Sequence, residues 1–292
     1  MRIIKILYYA FLDTNNLFRS LFGFQILDNL LKYKNTTSTI KNINFLDIIL
    51  TIYNFFFIKI PFHCPAFVPN NIKVIFFGEK SEYIKDKNEL DDEGRCFIFI
   101  NGILGTKNQV IRTKSKLQKF LNKPVNILFN STDTIFGDVI EAFIGKETNR
   151  LTESSTIALL TISSKLLDEK IKKVVIIAYS QGTIIISNVL DNLNKLGIND
   201  EKILQKLEIY CFSNCSSKTK YIKNELPYIE NFANEHDFIG KLGCNCPKQV
   251  QHLVNIDGKI FINKNKYGHL FTFHYINNFN KDYPLSNLNN YL

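Results

Sequence analysis

Arginine is scarce in this chain: of 36 basic residues, 5 are Arg and 31 are Lys. Specific recognition of phosphates or base edges favours the bidentate fork of Arg. The formal net charge of +9 therefore reads as mild attraction to anionic surfaces and argues against a nucleic-acid-binding protein. Cysteine is sparse too. Six thiols in 292 residues lack the density of a disulfide scaffold. Cys96 and Cys211 lie inside apolar runs, where buried thiols are expected. Cys244 and Cys246 have no His or Cys pair at zinc spacing beside them, so a plain loop is expected there. The chain also lacks a Walker glycine loop, a dinucleotide fingerprint and an internal repeat. What it does have is an ordinary globular balance, 45% hydrophobic and 22% charged, which excludes wholesale disorder. A chain this long buries roughly three quarters of its unfolded surface, so it needs no metal or disulfide staple.

Residues 1–68 differ from the rest. They are rich in Leu, Ile, Phe and Tyr and poor in Gly, and Leu17, Phe18, Leu21, Phe22, Leu27, Leu30 and Leu31 fall near helical spacing. The opening run resembles a signal peptide but has no small-residue cleavage site, so an intracellular, cytoplasmic protein is expected. The block 45–62 is the most apolar in the chain. Asp47, Asn54 and Lys59 interrupt it and Pro61 ends it, leaving it short of the about 20 apolar residues that a bilayer span needs. The preferred reading of 1–68 is an N-terminal helical extension packed on the main domain. The alternative is an amphipathic segment in peripheral contact with a membrane.

From about residue 72 the pattern changes. Short β-branched or aromatic runs at 74–77, 96–100, 125–129, 174–178 and 207–212 alternate with helical patterns near 107–121, 153–169 and 182–196. Near-continuous apolar strands alternating with helices indicate βαβ units. The expected fold class is α/β, with a mostly parallel central sheet carrying helices on both faces, over residues 69–292. The Asn-rich tail from Asn277 is expected to fray.

One segment carries chemistry. The strand at 174–178 runs into Ala178-Tyr179-Ser180-Gln181-Gly182, and a helical pattern follows at once. This is the context of a nucleophile elbow: a serine on a tight strand-to-helix turn, flanked two residues away by small side chains so that the backbones can approach. The competing reading is a Ser N-cap on a βα turn. The N–H of Gln181, at the helix N-terminus, is placed to serve as an oxyanion donor.

A serine hydroxyl needs a base, and the base needs an orienting acid. The order Ser, acid, His is available downstream. Asp237 follows an apolar run and precedes a Gly-containing turn, and it is preferred to Glu235 and Asp257 as the acid. Its plain reading is a turn aspartate. His269 follows Gly268 in a loop after a strand at 259–263, and it is preferred to His274, which lies in a more apolar stretch. His63 and His252 lack supporting context. His236 adjoins Asp237 and would face away from it in an extended segment. A second oxyanion donor is expected from the loop after the strand at 96–100, where Gly102 lets the chain turn and the N–H of Ile103 follows. The segment from Ser131 to Gly145 has apolar pairs every four residues. A helix beginning near Asp133 is expected there, either a crossover packed on the sheet or a lid.

Several motifs occur here in one order: Asn101-Gly102-Ile103-Leu104-Gly105-Thr106, Asn130-Ser131-Thr132, Ala178-Tyr179-Ser180-Gln181-Gly182, Leu207-Glu208-Ile209-Tyr210, Ala233-Asn234-Glu235-His236-Asp237-Phe238, and Gly268-His269-Leu270 with His274-Tyr275. Over roughly residues 95–276 the chain resembles the α/β-hydrolase superfamily, and more narrowly a lipase- or esterase-like group of serine hydrolases known mainly from fungi. The resemblance implies an α/β-hydrolase-like fold with Ser180 as nucleophile, Asp237 as acid and His269 as base. Tyr179 departs from the His such families often carry beside the nucleophile. The activity implied is cleavage of a carboxylic ester, with a small-molecule or lipid substrate and no cofactor. A thioesterase or acyltransferase would use the same triad. A catalytically silent fold that docks on a membrane or partner is the reading from another class.

Overall fold

The computed structural model describes residues 80–103, 107–131 and 152–292. The extension 1–68, the strand expected at 74–77 and the helix expected from Asp133 lie outside the described residues. In chain order the elements are β1 (Glu82–Ile84), β2 (Arg95–Ile100), α1 (Lys107–Leu121), β3 (Asn126–Phe129), α2 (Glu153–Leu167), β4 (Lys173–Tyr179), α3 (Gln181–Lys195), α4 (Glu201–Leu204), β5 (Leu207–Phe212), β6 (Lys218–Thr219), β7 (Tyr228–Asn234), β8 (Asn255–Ile256), β9 (Lys259–Asn263) and α5 (Phe279–Asp282). One sheet runs in the order β1-β3-β2-β4-β5-β7-β9, and β6 and β8 pair separately. Every pairing in the large sheet is parallel except that of β1 with β3.

The central strands are buried on both sides, and the period of two along a strand sorts their residues between two faces. One face is aliphatic. Cys96, Ile98, Ile100, Val174, Ile176 and Ala178 pack there beneath α2 and α3, against Ala158, Ile162, Ile186 and Val189. The other face is largely aromatic. Phe97, Phe99, Tyr210, Phe212 and Phe232 meet Leu117 and Leu121 of α1, together with Phe271 and Tyr275 from a π-helical turn (Phe271–Ile276). Phe212 and Phe232 stack with centroids 4.7 Å apart. The fold is therefore α/β, with a mostly parallel sheet flanked by helices on both faces. Helix α3 is buried on every side through its first ten residues, Gln181 to Leu190, as expected of a helix lodged in the core.

Two segments differ from expectation. The first is β7, a full strand in which Glu230, Asn231 and Asn234 are all wholly buried. The second is the Asn-rich tail, which does not fray. Phe279, Tyr283 and Leu288 bury themselves on the aromatic face, with the Phe279 and Tyr283 rings 5.3 and 5.0 Å from Phe232. Three well-placed apolar anchors outweigh the polar composition between them. Among the described residues no helix is long and apolar enough to cross a membrane.

Candidate active site

Strand β4 ends at Tyr179 and α3 begins at Gln181, so Ser180 makes the whole turn between them. Its backbone sits at φ 55°, ψ −123°, a region sparsely populated by residues with a side chain. The hydroxyl makes no cap bond to the helix, which sets the N-cap reading aside. It is the Ser180 carbonyl that serves the helix, accepting from the Thr183 N–H at 2.9 Å and the Thr183 hydroxyl at 2.6 Å. The Ser180 N–H donates to Phe212 O at 3.0 Å and so ties the turn to β5.

Close packing explains the small residues. A Cβ on Gly182 would stand 2.6 Å from Ile100 O, and one on Gly102 would stand 2.6 Å from Ser180 Cβ and 3.1 Å from Ser180 Oγ. The turn after β2 therefore runs directly against the serine.

Three side chains distant in the chain meet here. His269 Nε2 lies 3.1 Å from Ser180 Oγ. Its Nδ1 lies 2.9 Å from Asp237 Oδ2 and 3.1 Å from Oδ1. An ionised carboxylate can only accept, so Nδ1 carries the proton and Nε2 is left to accept from the serine hydroxyl. Ser180 is 3% exposed and Asp237 0%, whereas the His269 side chain retains 20% of its surface. Burial, the largest influence on Asp237, pushes its carboxyl up. The facing His269 charge and hydrogen bonds from His269, Tyr275 and Ser213 together outweigh burial and hold it below the ordinary carboxylate range. Tyr275 donates its hydroxyl to Oδ2 at 2.6 Å and the Ile239 N–H donates to Oδ1 at 3.0 Å.

No family model, curated protein or solved structure matches this chain.

The competing candidates are occupied elsewhere. Glu235 accepts from the Asn265 N–H at 2.6 Å. Asp257 accepts from the Tyr221 N–H at 2.9 Å and from Lys220 at 3.2 Å. His274 lies where a Cβ on Gly268 would meet its ring at 2.5 Å, and burial lowers it to about 4. His236 stacks on Tyr267 with centroids 4.1 Å apart. His63 lies outside the described residues. Among the described residues no group of three or more His, Cys, Asp or Glu is placed to hold a metal ion.

Around the candidate donors Ile103 and Gln181 is a polar brace that the motifs do not reveal. The Asn101 amide nitrogen donates to Gly102 O and to Asn130 O, each at 2.9 Å, while its oxygen accepts from the Asn130 N–H at 2.8 Å. In a trans peptide the N–H points opposite to the C=O. Holding Gly102 O toward Asn101 therefore turns the Ile103 N–H away from that amide. Asn130 Nδ2 donates to Gln181 Oε1 at 2.5 Å, and the Ser154 hydroxyl donates to Asn130 Oδ1 at 2.6 Å. Ser213 stands at φ 51° with its hydroxyl 3.2 Å from His269 Nδ1. Tyr179, Ser213 and Tyr275 also went unassigned in the sequence. Positive φ at two serines that end neighbouring strands was the one feature a backbone argument could have sought.

Proposed function

We propose that this chain is a serine hydrolase of the α/β-hydrolase type that cleaves carboxylic esters. The observation that carries the reading is the unbroken hydrogen-bond relay Ser180–His269–Asp237, at 3.1 and 2.9 Å, with the serine on a left-handed turn between strand and helix. The placement of the three groups supports the hydrolase type. The nucleophile follows β4, the acid follows β7 and the base follows β9, in the chain order Ser, acid, His.

Ser180 Oγ attacks the ester carbonyl carbon as His269 Nε2 takes its proton. Asp237 stays ionised, fixes the tautomer and stabilises the imidazolium. The carbonyl oxygen becomes an oxyanion held by the N–H groups of Ile103 and Gln181. Collapse of the tetrahedral intermediate breaks the bond to the alcohol, which leaves with the proton from His269. Water, activated by the same imidazole, then releases the acid and restores the serine. No cofactor takes part in these steps. Leu270, apolar, 42% exposed and adjacent to the base in the chain, supports a substrate with an apolar acyl or alcohol group.

A fluorophosphonate probe tests this directly, since Ser180 Oγ would displace fluoride and form a bond to phosphorus. Wild type is expected to label and Ser180→Ala to remain unlabelled. Equal labelling of both would remove Ser180 from its role.

A further inference from the structure

We propose that Tyr179 is a positioning residue that ties the base to the nucleophile's own turn. Tyr179 is the last residue of β4 and the immediate neighbour of Ser180. Its hydroxyl donates to the backbone carbonyl of His269 at 2.7 Å, across ninety positions of sequence. Its ring also lies against the imidazole, with centroids 4.9 Å apart and planes inclined by 31°. The ring also meets Phe271, with centroids 5.1 Å apart. These separations lie in the range of favourable ring–ring contact, with the planes tilted.

Three physical points follow. The loop that carries His269 lies between β9 and the π-helical turn, so it has no ladder of its own to fix it. The Tyr179 hydroxyl supplies a fixed point at the His269 backbone, and the ring restricts how the imidazole turns about its side-chain bonds. Both restraints arise from the residue that precedes the nucleophile in the chain, so nucleophile and base share one support and their separation is set locally. Asp237 holds the far edge of the ring through Nδ1, and Tyr179 holds its face and its backbone.

The proposal rests on the hydrolase reading for its kinetic consequences but not for its structural one. The variants are Tyr179→Phe, which keeps the ring and removes the tether, and Tyr179→Leu, which removes both. In the full-length chain, Tyr179→Phe is expected to lower kcat on p-nitrophenyl butyrate about tenfold, the worth of one ordinary hydrogen bond, with KM within about twofold. Tyr179→Leu is expected to lose more. The readout independent of activity is the NMR line of the His269 ring Cε1–H, assigned by its loss in His269→Gln. A single sharp line is expected in wild type, and one shifted or broadened by μs–ms exchange in Tyr179→Phe at an unchanged melting temperature. An unaltered line in Tyr179→Phe overturns the proposal, whatever the kinetics. Absence of both hydrolysis and fluorophosphonate labelling in wild type overturns the hydrolase reading alone, because the NMR comparison still decides the role of Tyr179. Unfolding of Tyr179→Leu leaves the test intact, because Tyr179→Phe isolates the hydroxyl.

Discussion

Asp237 is a wholly buried carboxylate that nonetheless keeps its charge, because four groups point hydrogen at it. His269, Tyr275 and Ser213 donate from side chains, and Ile239 donates from the backbone. Its folded value lies below its unfolded one. It therefore contributes stability above the unfolded value, and that contribution is lost as pH falls through the folded value. Removing the 2.6 Å bond from Tyr275 raises the folded value. On acid titration both proteins are expected to begin their decline at the ordinary carboxyl value of about 4, but the fall in melting temperature of Tyr275→Phe is expected to be smaller and to level off at a higher pH than that of wild type. Coincident acid limbs in the two proteins would deny Tyr275 this influence. Ser180→Ala is the complementary case at this scale. It removes one hydroxyl, leaves the helix start to Thr183 and the Ser180 carbonyl, and is expected to abolish labelling with little change in melting temperature.

Among the elements, β7 and the tail depend on one another. Glu230 on β7 accepts from the Tyr228 hydroxyl at 2.5 Å, the Ser286 hydroxyl at 2.6 Å and the Asn287 N–H at 3.0 Å. Glu230→Leu would leave the buried Ser286 hydroxyl and the part-buried Asn287 N–H without their partner, at a cost of about 1–3 kcal/mol for the first and less for the second. A loss of about 2–4 kcal/mol in chemical denaturation is expected, with earlier proteolytic cleavage in the tail. An unchanged midpoint would mean that the apolar anchors Phe279, Tyr283 and Leu288 hold the tail alone. This pairing also explains what could be read from sequence. The strands at 96–100, 174–178 and 207–212 were legible because they are β-branched or aromatic and buried on both faces, which leaves a continuous apolar run. β7 was not, because Glu230, Asn231 and Asn234 interrupt the run, and their partners lie in distant segments. The triad was legible because each member sits beside a recognisable strand or glycine. Its supports were not: Tyr179, Tyr275, Asn101 and Ser213 act through contacts that spacing in the sequence does not encode.

Across the whole molecule, the two sheet faces divide the work. The aliphatic side packs the long helices α2 and α3, and the aromatic side packs the short C-terminal turns that carry Tyr275 and follow His269. Global stability should carry a second pH signature from that region. His274 is lowered from an ordinary 6.5 to about 4, with burial as the main cause. A base depressed in the folded state binds its proton first in the unfolded chain, so stability is full above the unfolded value and falls as pH drops from about 6.5 toward about 4. His274→Gln, polar but uncharged, is expected to flatten the fall in melting temperature across that window. An identical slope in the two proteins would place its origin elsewhere. This window lies above that of Asp237, so the two effects separate on one titration.

The last residues close over the end of the sheet remote from the serine. Tyr291 donates to Glu208, the second residue of β5, at 2.6 Å, and its ring lies 5.1 Å from the Arg95 guanidinium at the start of β2. Ser180 follows the opposite, C-terminal end of β4, which lies between these two strands and runs parallel to both. A bead, electrode or bulky fusion joined at Leu292 would therefore grip the described part of the molecule at the end of the sheet opposite the Ser180 turn.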